Sequence, residues 1–208
     1  MNIRLYNMLT MEKVASSKLS NKDKLRFAIL SGSTGDDPEE MSRSRVLAER
    51  YRDYLVSKGA DVDWMDMRDM KDMPDTNDWN SKWYDNYRDR ITKSDGLIVS
   101  TPIYTYGPSG KVVQFLHRSL DNEKQQYKPY VLLSGAGTSR SALALSGLSN
   151  SLNHEIKGIG IGGGIQVAGD DMDLKTGKIN DKIILRAQQN ADKLLQVSRG
   201  LRGGNRYE

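Results

Sequence analysis

The chain has 208 residues, a formal net charge of +4 and a mean hydropathy of −0.64. Apolar residues make up 37% and charged residues 28%, a polar globular composition that fits one domain. Cysteine is absent and histidine occurs only at His117 and His154, which excludes disulfides, Cys nucleophiles and a zinc centre built from His and Cys.

No apolar run approaches the ~20 residues of a membrane-spanning helix. The N-terminal stretch has no continuous apolar core and no small-residue cleavage site, so a secretory signal is not expected and the cytoplasm is the default location. Acidic residues are interleaved with the basic ones through most of the chain, unlike the gathered Lys and Arg of a nucleic-acid surface. Neither nucleic acid nor membrane is expected as a partner.

Residues 1–22 lack strong periodicity and read as an N-terminal arm; 23–199 read as one domain, and 200–208 as a Gly-rich, basic, flexible tail. Within the domain, strand and helix signals alternate. The short apolar run at 26–31, closed by Gly32, predicts a buried strand. Val46, Leu47, Tyr51, Tyr54 and Leu55 are spaced for a helix over 44–58, stopped by Gly59. Val62 and Trp64 alternate with aspartates in a strand over 60–67. Trp79, Trp83 and Tyr87 mark a helix over 77–93, their stripe facing the sheet or a second subunit. A fully apolar strand at 96–101 ends at Pro102. A helix follows over 109–120, a strand over 130–134, a helix over 139–152 and a Gly-rich strand over 157–167. Asn180 caps a last helix that reaches about Val197.

Five β-α units with continuous apolar strands predict an α/β fold. It is a flavodoxin-like three-layer sandwich: a five-stranded parallel sheet in the order 2-1-3-4-5, with helices on both faces. In such a sheet ligands sit at the C-terminal strand ends, near the switch in strand order. That rule selects three loops.

The first runs from Ser31 to Ser44. Its hydroxyls at Ser33, Thr34, Ser42 and Ser44, its helix-start amides and Arg43 suit a phosphate. A plain helix cap at Ser42 is the competing reading. The second runs from Thr101 to Gly110. Pro102, Ile103, Tyr104, Thr105, Tyr106 and Gly107 form a stiff wall with aromatic faces, suited to a flat ring; a turn with surface tyrosines is the alternative. The third comprises Ser134, Gly135, Ala136, Gly137, Thr138 and the residues that lead into the next helix. It is a second place to stabilise negative charge, or an ordinary connection.

The strings ILSGST…MSRSRVLAE, DGLIVSTPIYTYGPSGKVVQFL and KPYVLLSGAGTSRSALALSGL resemble the NAD(P)H-dependent FMN reductase family over about residues 25–198. The resemblance implies an enzyme with FMN as cofactor, NADPH or NADH as co-substrate, a homodimer or homotetramer, and a small-molecule electron acceptor: a quinone, an azo compound, a metal or free flavin. It implies that Ser33, Thr34, Ser42, Arg43 and Ser44 hold the phosphate, that 102–107 line the flavin ring, and that 134–138 border its pyrimidine side. Hydride then passes from nicotinamide to flavin, and no catalytic side chain is required. The chain departs from the family pattern at Gly35, where an Arg is usual, at Ile103 for Glu, at Thr105 for Asn, and in an acidic insert over 36–40.

Two other functions fit the same fold: a flavodoxin-like electron carrier, or a flavin-free protein that binds a phosphorylated ligand or a partner. Carriers tend to be acidic, and this chain is basic.

Other motifs are discounted. Gly158, Gly160 and Gly163 match G-x-G-x-x-G, but no helix follows, so close packing is the expected role. Asp170, Asp171 and Asp173 read as a solvated turn, since Lys175 breaks the calcium pattern. Met65, Met67, Met70 and Met73 read as gap-filling residues and not as a metal site. No role is expected for His154.

Overall fold

A computed structural model describes residues 24–35, 41–74 and 81–203. The N-terminal arm, the acidic insert and Trp79 lie outside the described residues.

The elements in order are β1 (Arg26–Ser31), α1 (Arg43–Ser57), β2 (Asp61–Asp66), α2 (Trp83–Thr92), β3 (Gly96–Tyr104), β4 (Gly107–Pro108), α3 (Gly110–Ser119) and β5 (Pro129–Ala136). A 3-10 helix (Ser139–Leu145) follows, then α4 (Ser146–Glu155), β6 (Ile159–Gly160), β7 (Ile165–Ala168), a 3-10 turn (Gly169–Asp171) and α5 (Asp181–Gly203).

The sheet order is β2-β1-β3-β5-β6, with β7 also parallel to β5 and β4 antiparallel to β3. With the hairpin strand β4 set aside, and β6 and β7 taken as two halves of a fifth strand, this is the expected parallel order. The single strand expected over 157–167 is broken because Gly162 and Gly164 adopt φ of +75° and +81°, a left-handed backbone that cannot continue a ladder.

Alternation along each strand sorts the core into two layers. Phe27, Ile29, Ile98, Val131, Leu133 and Val167 face α1 and α5, which contribute Leu47, Tyr51, Leu55, Ala191 and Leu194. Ala28, Leu30, Leu97, Val99 and Leu132 face the other side, where α2, α3 and α4 supply Tyr84, Ile91, Phe115, Leu148 and Leu152. The methionine run serves this second layer: Met65, Met67 and Met70 are buried in it and Met73 packs against it.

The aromatic stripe is half right. Trp83 and Tyr87 are half-buried, and their rings pack on Phe115 of α3 with centroids 6.5 and 5.2 Å away. The fully buried ring of α2 is Tyr84, one residue off the predicted stripe. The helix expected over 139–152 starts as a 3-10 helix and becomes α-helical only at Ser146. Asn180 does cap α5, its Oδ1 accepting from Lys182 N at 2.9 Å. The helix continues past Val197 to Gly203, where Arg202 donates to Lys24 O at 2.7 Å. Gly158 and Gly160 lie against Tyr130, where a Cβ would stand 2.8 Å from a ring carbon and 3.0 Å from the hydroxyl, so their role is the close packing expected.

Candidate functional site

The C-terminal strand ends are locked in register. Ser31 pairs with Asp66 on one side and Ser100 on the other; Thr101 pairs with Ser134, Pro102 with Gly135, and Ala136 with Ala168. This pairing brings the second and third loops side by side. The first joins them through α1, whose N-terminus sits over the strand ends.

Three contacts fix that N-terminus. Ser100 Oγ donates to Ser44 O at 2.7 Å. Arg43 donates from Nε and Nη2 to Gly169 O at 3.3 and 3.1 Å. Arg45 makes a bidentate pair with Asp66, both Nη–Oδ distances being 2.7 Å. Asp66 also accepts from Arg68 N at 2.9 Å and Arg68 Nη2 at 3.2 Å. Burial alone would raise the Asp66 carboxyl. The hydrogen bonds from Arg45 and Arg68 outweigh it and hold the carboxyl well below the usual carboxylate range.

Ser42 is the N-cap of α1: its Oγ lies 3.5 Å from Arg45 N and 3.2 Å from Ser44 Oγ. The first turn carries no acidic residue but two arginines. Arg45 is paired with Asp66, a carboxylate it shares with Arg68. Arg43 donates to a carbonyl, so among the described residues it brings a positive charge with no carboxylate partner. First-turn amides, two hydroxyls and this guanidinium make a donor set for an anion.

The second loop is a tight hairpin. Tyr104 pairs with Gly107 across a two-residue loop whose members, Thr105 and Tyr106, have φ of +48° and +63°. Two-residue hairpin loops favour this left-handed backbone, but Gly and Asn reach it far more easily than a β-branched residue. The Thr105 departure therefore stores strain. The hairpin presents Tyr104 and Tyr106 at 59% and 63% exposure. Ile103 instead points into the core with α3, so this departure substitutes an apolar residue at a buried position.

The third loop begins later than expected. Ser134, Gly135 and Ala136 belong to β5 and are buried; Gly137 and Thr138 are the exposed pair. Among the described residues, Ser134 Oγ is buried without a hydrogen-bond partner, as are Ser31 Oγ and Gln166 Nε2. Of the first-loop candidates, Ser33 and Ser44 are buried while Thr34, Ser42 and Arg43 are half-exposed.

Sequence reasoning missed Arg45, Asp66, Ser100 and Gly169. The rule that selected three strand ends passed over the end of β2, where Asp66 sits. Two arginines in a first turn without an acid were the available signal.

An open parallel sheet in this strand order, with helices on both faces, defines the flavodoxin-like class. The family model for NADPH-dependent FMN reductase matches residues 25–171, and the chain belongs to that family. An FMN reductase (NADPH) of Pseudomonas putida is 35% identical over 85 residues. That match spans 40% of this chain and 43% of the relative. An apo NADH:FMN oxidoreductase superposes with a TM-score of 0.66 at 16% identity, over 84% of this chain and 90% of that one. A flavodoxin from the Archaea superposes at 0.59 and 12% identity, over 84% and 99%. The flavoenzyme NAD(P)H:acceptor oxidoreductase of Paracoccus denitrificans superposes at 0.57 and 15% identity, over 85% and 98%. Among the described residues no helix is long and apolar enough to cross a membrane.

Proposed function

We propose that this protein is an NAD(P)H-dependent FMN oxidoreductase that holds FMN along the C-terminal edge of its sheet. The observation that carries the reading is the junction of the three loops within the segment that matches the family. Pro102 of the second loop pairs with Gly135 of the third, and Gly135 packs on Arg43 and Ser44 of the first. The residues present fit the cofactor. The first turn of α1 supplies amides, hydroxyls and, in Arg43, a guanidinium that meets no carboxylate among the described residues, and the hairpin supplies exposed aromatic faces for a planar ring.

When bound, FMN supplies two-electron redox chemistry between a reduced nicotinamide nucleotide and a small oxidant. The work of the chain is to bind and orient. We assign the phosphate to Ser33, Thr34, Ser42, Arg43 and Ser44, and the ring to 102–107. The strand end 134–138 borders the ring edge that gains negative charge on reduction, with the amides of Gly137 and Thr138 as donors. No side chain is assigned an acid–base role.

We further propose a cytoplasmic homodimer formed through the face that carries the hairpin. Tyr104 and Tyr106 of the hairpin and Leu143 of the 3-10 helix that contacts it are exposed apolar groups, the kind of patch that marks an interface.

The test is an absorbance spectrum of the purified protein before and after soaking with FMN, followed by anaerobic mixing with NADH and with NADPH. Uptake of FMN and bleaching by at least one nucleotide are expected. A protein that takes up no FMN sinks the reading; one that takes up FMN but is bleached by neither nucleotide is an electron carrier.

A further inference from the structure

We propose that Asp66 is a positioning residue: through its bidentate pair with Arg45 it sets the first turn of α1 for a phosphate, and so sets the preference for FMN over riboflavin. The proposal rests on the flavin reading above.

Arg45 stands in the first turn of α1, where a cation opposes the helix dipole and where no acidic residue of the turn compensates it. Its place there is therefore not explained by helix stability. It is explained by Asp66, the last residue of β2, which takes both Nη groups at 2.7 Å. The two side chains are 11% and 6% exposed, so the pair is nearly dry and its fork geometry fixes orientation as well as distance.

Asp66 is itself held from behind. Arg68 N and Nη2 occupy other lone pairs of the carboxylate, and Met67 N donates to Ser31 O at 3.0 Å, which fastens the end of β2 to β1. On the opposite side Ser100 Oγ fastens Ser44 O to β3. The first turn is thus tethered on two sides, by Asp66 from β2 and by Ser100 from β3. Ser42, Arg43 and Ser44, assigned to the phosphate, cap or belong to this turn. The pair also sorts charge: it ties Arg45 to Asp66, while Arg43 meets no carboxylate among the described residues. The flavin ring is assigned to other loops, so loosening this tether should be felt by the phosphate and not by the ring.

The experiment titrates the full chain, stripped of flavin, with FMN and separately with riboflavin, following flavin fluorescence. The variants are Asp66→Asn, Arg45→Met and, as a control, Asp63→Asn, which removes two ion pairs on the same strand, to Arg26 of β1 and Arg90 of α2. Asp66→Asn and Arg45→Met are expected to raise the Kd for FMN by roughly tenfold or more, as for a misplaced binding group. The Kd for riboflavin should stay within about twofold, well under 1.4 kcal/mol. Asp63→Asn should change neither. Equal losses for both flavins, or no loss for FMN, overturn the proposal. Should a single variant fail to fold, the double replacement Arg45→Met with Asp66→Leu keeps the site packed without a lone buried charge. It is expected to show the same FMN-selective loss, and wild-type FMN affinity in it overturns the proposal. A wild-type protein that binds neither flavin refutes the flavin reading itself, a result distinct from an unchanged ratio.

Discussion

Gly135 and Ser44 are in such close contact that a Cβ on Gly135 would stand 2.4 Å from Ser44 N and 2.7 Å from Arg43 Cβ. No real Cβ survives that approach, so strand β5 and the start of α1 meet only because residue 135 has no side chain. The contact seats the start of α1 directly against the end of β5.

It follows that Gly135→Ala forces α1 off the sheet edge. We expect a loss of about 1–3 kcal/mol in stability, typical of overpacking, and a larger proportional loss of FMN binding. Thermal melts with and without FMN check this. A variant with wild-type melting and wild-type FMN affinity would show that the helix start does not depend on this contact.

Thr105 pays the strain of the hairpin, with a β-branched side chain at φ +48°. Asn reaches this backbone more easily. Thr105→Asn should stabilise the protein by about 1 kcal/mol, the lower end of the cost of a left-handed non-Gly residue. For a chain of this size the melting temperature would rise by about 2–4 °C. A fall in melting temperature would mean that the Thr105 side chain makes a compensating contact.

Acid should weaken the fold through Asp63 and Asp66. Burial raises both carboxyls, but for Asp63 the Arg90 hydrogen bonds and the charges of Arg90 and Arg26 win, as Arg45 and Arg68 win for Asp66. Both folded-state values therefore lie below the ordinary 3.8. A depressed carboxylate stabilises fully above its unfolded value, and the gain is lost as pH falls through the folded one. Melting temperature should thus be insensitive to these groups above about pH 5 and fall steeply below about pH 4. In Asp63→Asn the curve should start lower and fall less. Parallel curves for wild type and variant would refute the assignment.

Tyr84 and Trp83 should separate core from surface on α2. Tyr84 is fully buried among the aromatic rings, and Tyr84→Ala should cost about 3–5 kcal/mol, enough to leave little folded protein. Trp83→Ala removes a half-buried ring and should cost about 1–3 kcal/mol with no change of mass in light scattering. A change of mass at unaltered melting temperature would place Trp83 in a subunit interface instead.

Local pattern alone located the first four parallel strands, the region of the fifth, the α-helices and the cap at Asn180, because an apolar run or a 3.6-residue stripe is decided by which neighbours can be buried together. It also named the three loops, since the strand-end rule follows from connectivity. The places where it slipped are those decided by partners far along the chain. Tyr104 extends β3 because Gly107 pairs back on it. Gly135 lies inside β5 because Val167 and Pro102 flank it. Gln166 and Ser134 share a row that no short window shows.

The order of segments, the alternation of strand and helix and the supply of hydroxyls and glycines at three turns are properties of the sequence by itself. Only the folded chain decided that Asp66 holds Arg45, that Ser100 holds Ser44, and that Arg43 reaches Gly169 O. These depend on strand register and on the closest approach of backbones, and both are fixed by long-range packing that leaves no trace in neighbouring residues.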